Sequence, residues 1–91
     1  MTDRAGDTPL YSIAVAAELA DLPAATLRLY EEKGLVKPAR TQGGTRRYSD
    51  DNITTIREVA ALQEDGINLA GVERVLKLRA ENAELRRRLD D

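Results

Sequence analysis

Apolar positions recur at helical spacing in four places along this chain, and each run is bounded by residues that start or stop a helix. Ile13 to Ala20 (IAVAAELA) places Ile13, Ala16, Ala17 and Ala20 on one side, behind Ser12 as N-cap. Asp21-Leu22 makes a short break. Pro23 suits the first turn of a second helix, expected from about Pro23 to Lys33 and closed by Gly34, which tolerates the left-handed conformation that ends helices. Two short helices joined in this way, with small alanines at the crossing, predict a helix-turn-helix, whose second helix usually enters the major groove of DNA. The pattern then changes. Val36 to Thr41 and Thr45 to Tyr48, around Gln42-Gly43-Gly44, predict two short strands with a glycine turn, and Leu10 to Ser12 a further short strand beside them.

Ser49 then caps a third helix from about Asp50 to Asp65, with Asp50 and Asp51 at the positive end of its dipole and Ile53, Ile56, Val59, Ala60 and Leu62 or Gln63 on the buried row. Gly66 ends it, and Asn68 caps a fourth helix from Leu69. Neither Pro nor Gly interrupts Val72 to Asp91, so that helix is expected to be continuous. Val75, Leu78, Leu85 and Leu89 form an a/d seam with Asn82 at the intervening a position, the dimerisation surface of a short coiled coil. The fold class is therefore all-α with a small β-hairpin. A flexible arm (1–9) precedes a winged helix-turn-helix domain (10–76), and a coiled-coil-like C-terminal helix (77–91) continues the helix that starts near 69.

Composition narrows the chemistry. The chain has 91 residues, 33% charged and 42% apolar, and its only aromatics are three tyrosines, so Leu, Val, Ile and Ala must build the core. It has neither Cys nor His, which excludes disulfides, thiolate metal sites and imidazole catalysis. The carboxylate pairs Glu31-Glu32, Asp50-Asp51 and Glu64-Asp65 lie on helix surfaces or ends without a nucleophile and base beside them. No catalytic residue, metal or cofactor is expected, and the protein is not read as an enzyme. No apolar run approaches the roughly 20 residues of a membrane span, and a cytoplasmic location is expected.

Charge singles out one stretch. From Arg28 to Tyr48 six basic residues (Arg28, Lys33, Lys37, Arg40, Arg46, Arg47) face two acids, a local +4 in a chain of net −2. A positive field beside an acidic remainder selects a polyanion at one face only. Arg28, Lys37, Arg40, Arg46 and Arg47 are the candidate DNA contacts. Tyr30 and Tyr48 are expected to lie partly in the core, with the hydroxyl left at the edge for a phosphate. Ala24, Ala25 and Thr26, in the first turn of the second helix, offer methyl groups to thymine and no bidentate base contact, which shifts the weight to phosphates and DNA shape.

These residues carry a resemblance. Thr26-Leu27-Arg28, Tyr30-Glu31, Gly34-Leu35, Pro38, Arg40, Gly44 and Arg46-Arg47-Tyr48-Ser49 resemble the DNA-binding segment of the MerR family of bacterial transcription regulators. The likeness runs from about Leu10 to Leu78. It is closer to the HspR-type heat-shock repressors, through the opening LYSIAVAAELA and through Gly66-Ile67-Asn68-Leu69-Ala70-Gly71-Val72. The resemblance implies a dimer bound to an inverted repeat in double-stranded DNA, an antiparallel C-terminal helix pair, the hairpin as a first wing and the last two helices as a second. It also implies repression of stress genes with a DnaK-type chaperone as co-regulator. The effector-binding region that many members carry after the dimerisation helix is not expected in these 91 residues, so no small-molecule or metal sensing is assigned to them. The alternative is a protein-interaction module that docks through its C-terminal helix, with the basic face incidental.

Overall fold

In the computed structural model, residues 5–90 are described. Helix α1 (Ile13–Ala20) starts where the Ser12 hydroxyl accepts the amide of Val15. It ends at Asp21, which adopts the left-handed conformation at φ 56° while the amides of Asp21 and Leu22 return to the carbonyls of Glu18 and Ala17. The turn to the next helix is therefore made by an aspartate, a residue that tolerates αL better than most. Helix α2 (Ala24–Glu32) follows, with Pro23 as its extended N-cap. Gly34, at φ 76°, lets the amides of Gly34 and Leu35 reach the carbonyls of Glu31 and Tyr30 and close the helix.

The hairpin is shorter than the pattern predicts. Strands β1 (Ala39–Arg40) and β2 (Arg46–Arg47) pair antiparallel, Ala39 opposite Arg47 and Arg40 opposite Arg46. The cause lies in the flanks. Leu35 and Val36 are both buried, so the chain there runs into the core and does not alternate, and Pro38 has no N–H to donate. Tyr48 gives its amide to the carbonyl of Tyr11 at 2.7 Å and accepts the amides of Leu10 and Tyr11. The strand expected at Leu10 to Ser12 is thus reduced to one bridge.

Helix α3 (Asp50–Glu64) begins with a capping box, the Ser49 hydroxyl taking the Asn52 amide while the Asn52 side chain takes the Ser49 amide. Part of the expected arm is docked here. The carbonyl of Gly6 accepts the amide of Asp51 at 3.0 Å, and Tyr11 donates its hydroxyl to Asp50 at 2.7 Å. Within the expected arm of residues 1–9, the described Gly6 thus meets the first turn of α3, a helix end with amides to satisfy. Residues 1–4 lie outside the described residues. Helix α4 (Leu69–Asp90) is capped by the Asn68 side chain on the amide of Gly71 and runs unbroken for 22 residues.

Ala16, Leu27, Tyr30, Ile53, Ile56, Val59 and Val72 meet in one core, to which Leu69 and Leu76 add from α4. Arg57 of α3 donates to the carbonyl of Leu19, which fixes a cation at the negative end of α1. Beyond Leu76 the helix leaves the domain.

Candidate nucleic-acid interface

The outward face of α2 follows from which residues the core takes. Leu27 and Tyr30 are buried, which leaves Ala25, Arg28, Leu29 and Glu32 exposed on the opposite side at spacings of three, four and seven. Of the three residues expected in the first turn, Ala25 lies on this face, and Ala24 and Thr26 are half-buried at its edges. Leu29, 39% exposed, was not singled out from the sequence. The signal was there, since Leu29 stands four residues from Ala25 and off the Leu27–Tyr30 row.

The wing cations divide into two sets. Arg40 and Arg46 stand directly opposite each other across the hairpin, a like-charge pair that is unfavourable by itself. Both reach Glu31 of α2: Arg46 Nε donates to one carboxylate oxygen at 2.5 Å, and Arg40 Nη2 to the other at 3.0 Å. Arg40 also donates through Nη1 to the carbonyl of Gly44, which closes the wing tip. Burial works to raise the Glu31 carboxyl, but the hydrogen bonds and charges of Arg46 and Arg40 outweigh it and hold its pKa below the ordinary carboxylate value. The same bond to Glu31 raises Arg46. Arg47, one position on, alternates to the other face of the strand, and its guanidinium meets only the carbonyl of Arg46. Among the described residues, Arg28, Lys33, Lys37 and Arg47 form no ion pair.

Both candidate tyrosines are deeper than expected. Tyr30 is 1% exposed and donates its hydroxyl to the Gln63 side chain at 2.6 Å, so it braces α2 on α3 and offers no surface to a phosphate. Tyr48 is fully buried, and its hydroxyl has no hydrogen-bond partner among the described residues. Burial raises the pKa of both phenols, and for Tyr48 the charge of Glu31 adds to it. The expected hydroxyls at the edge of the core are thus corrected to two core phenols, one paired and one not.

The expected dimerisation residues share one side of α4. At about 100° per residue the seam of Val75, Leu78, Asn82, Leu85 and Leu89 lies roughly 130° round the helix from Leu69, Val72 and Leu76, which face the domain. Val75 is half-buried, whereas Leu78, Leu85 and Leu89 are 61, 57 and 84% exposed. The seam does not fold back on its own domain. Among the described residues, no group of three or more His, Cys, Asp or Glu could hold a metal ion and no helix is long and apolar enough to cross a membrane.

A helix-turn-helix whose second helix carries an exposed cation, with a basic hairpin fastened beside it, is a winged helix-turn-helix of the DNA-binding class. A family model for the MerR HTH family regulatory protein matches residues 11–78, and the chain belongs to that family. It is 51% identical over 83 residues to the heat shock protein HspR of Streptomyces coelicolor, covering 90% of this chain and 55% of that protein. It is 36% identical over 76 residues to the HTH-type transcriptional regulator GlnR of Bacillus anthracis, covering 84% of this chain and 59% of GlnR. The chain thus spans little more than half the length of these curated relatives. Among solved structures it is similar to HiNmlR, a MerR family regulator lacking the sensor domain and bound to promoter DNA. The TM-score there is 0.69 at 26% identity, over 88% of this chain and 78% of that one. The regulator PbrR691 of Ralstonia metallidurans in complex with lead(II) shares the fold, with TM-score 0.75 at 24% identity over 89% of this chain and 67% of that one.

Proposed function

We propose that this protein is a dimeric, sequence-specific DNA-binding transcriptional regulator that represses stress or heat-shock genes from an inverted-repeat operator. The observation that carries the reading is the exposed face of α2, with Ala25, Arg28 and Leu29 outward and the unpaired cations Lys37 and Arg47 on the hairpin and its approach. In this reading α2 lies in the major groove. Arg28, Lys37 and Arg47 neutralise phosphates, and Ala25 and Leu29 present apolar surface to thymine methyl groups. Ala24 and Thr26 flank that contact. Tyr30 and Tyr48 hold α2 and the wing in place from within.

The exposed seam of α4 supports the dimer: three leucines on one side of a helix are covered by the same three on a second copy, antiparallel so that the two heads stand apart. The stress setting rests on the likeness to HspR, and a DnaK-type chaperone is the co-regulator that the family resemblance implies. Binding to duplex DNA as a function of salt tests the reading. A dimer neutralising about 6 to 10 phosphates gives a log–log slope of roughly −5 to −9, and a selected inverted repeat binds well above random duplex. Weak binding with no preferred sequence would leave a protein-interaction module acting through the α4 leucines.

A further inference from the structure

We infer that Glu31 is a positioning and specificity-determining residue of the DNA interface: it withholds Arg40 and Arg46 from the phosphates while fixing the wing to the recognition helix. This inference rests on the DNA-binding reading above. Three observations carry it. The carboxylate is shared by one arginine from each strand, with one oxygen bonded to each. Those two arginines are cross-strand neighbours, so without the carboxylate the hairpin would bring two like charges together with nothing between them. And the Glu31 side chain is only 20% exposed, against 47% for Arg40 and 28% for Arg46, so the acid sits beneath the two guanidinium groups, between the wing and α2.

The consequence for DNA is a division of labour among cations of the same stretch. A guanidinium bound to a carboxylate releases fewer counterions on meeting a phosphate than a free one does. The sequence-independent part of the affinity therefore falls mainly to Arg28, Lys37 and Arg47. Lower non-specific affinity widens the gap between operator and random DNA, provided that the wing stays where the operator contacts need it. One carboxylate meets both conditions because the bonds that lower the charge are the bonds that hold the wing.

The test compares the wild-type chain with Glu31→Gln and Glu31→Asp on two duplexes of about 30 base pairs, one random and one selected by the wild-type protein from a random pool. Glu31→Gln keeps the shape and removes the charge. On random duplex it is expected to bind more tightly, with a salt slope steeper by about 1 to 2 per protomer as the two arginines reach phosphates. The ratio of selected to random affinity falls. Adding Arg40→Ala to Glu31→Gln returns the slope part of the way to wild type. Glu31→Asp, which keeps the charge, leaves the slope on random duplex within one unit of wild type. Should Glu31→Gln bind random DNA no better and with an unchanged slope, or lose affinity for both duplexes alike, Glu31 only braces the fold and the inference is overturned. Should the wild-type chain itself show no salt-dependent binding to either duplex, the DNA-binding reading fails first, and this inference with it.

Discussion

At the scale of the residue, the two buried tyrosines give opposite expectations from the same substitution. Tyr30→Phe removes the hydroxyl that Gln63 accepts and leaves that amide to solvent, which costs about 0.5 to 1.5 kcal/mol of stability. Tyr48→Phe removes a buried hydroxyl without a partner, so its stability is expected to equal or exceed that of the wild type. Denaturant melts of the two variants decide the matter, and a larger loss for Tyr48→Phe would mean that its hydroxyl is satisfied in solution. The carboxyl of Glu31 gives a sign for pH. Its pKa in the fold lies below the ordinary 4.5, so its contribution is present in full above that value and is lost only as the pH falls through the lowered one. Hydrogen exchange at the wing amides is therefore expected to show undiminished protection by this pair between pH 7 and 5, and a pH-dependent opening within that window would contradict it. Arg47→Ala is expected to weaken binding to every duplex by a similar factor and to make the salt slope shallower by about one unit per lost phosphate contact. A change confined to one DNA sequence would make Arg47 a base reader.

At the scale of the element, helix ends were legible in the sequence because each is set by residues within five positions of one another. Ser12, Ser49 and Asn68 cap as their positions imply, and Gly34 and Gly66 end helices at φ 76° and 91°. Since a Cβ at Gly34 meets nothing within 4 Å, Gly34→Ala tests the backbone alone and is expected to cost about 1 kcal/mol in a thermal melt. What the pattern did not disclose joins distant residues. The Tyr30–Gln63 bond spans 33 positions and the Tyr11–Asp50 bond 39, so no local spacing announces either. The hairpin was overextended for a related reason: β-like residues at Val36 and Tyr48 read as strand, but the core claims one and Tyr11 pairs with the other. Glu31 was visible as an acid in a basic stretch and as part of the Tyr30-Glu31 motif, but its two partners are brought to it by the register of the hairpin.

At the scale of the whole molecule, α4 joins a half that packs on the domain to a half that does not. Replacing Leu78 and Leu85 together with Ser is expected to cut affinity for a full inverted repeat far more than for a half-site, measured by anisotropy at fixed salt. Equal losses on both would remove the dimer from the reading. The lack of any break between Leu76 and Leu78 has a geometric result. A continuous helix of 22 residues is a rod of about 33 Å, and its two faces are locked in phase, one gripping the domain and one carrying the exposed Leu78, Leu85 and Leu89. Inserting a single alanine after Lys77 would turn one face against the other by about 100°, swinging each head out of step with the groove although every contact within the domain survives. Seven inserted residues would bring the faces back to within about 20° while moving them some 10 Å apart. In the dimer proposed above, the spacing between half-sites that the protein accepts is therefore set by the residue count along α4.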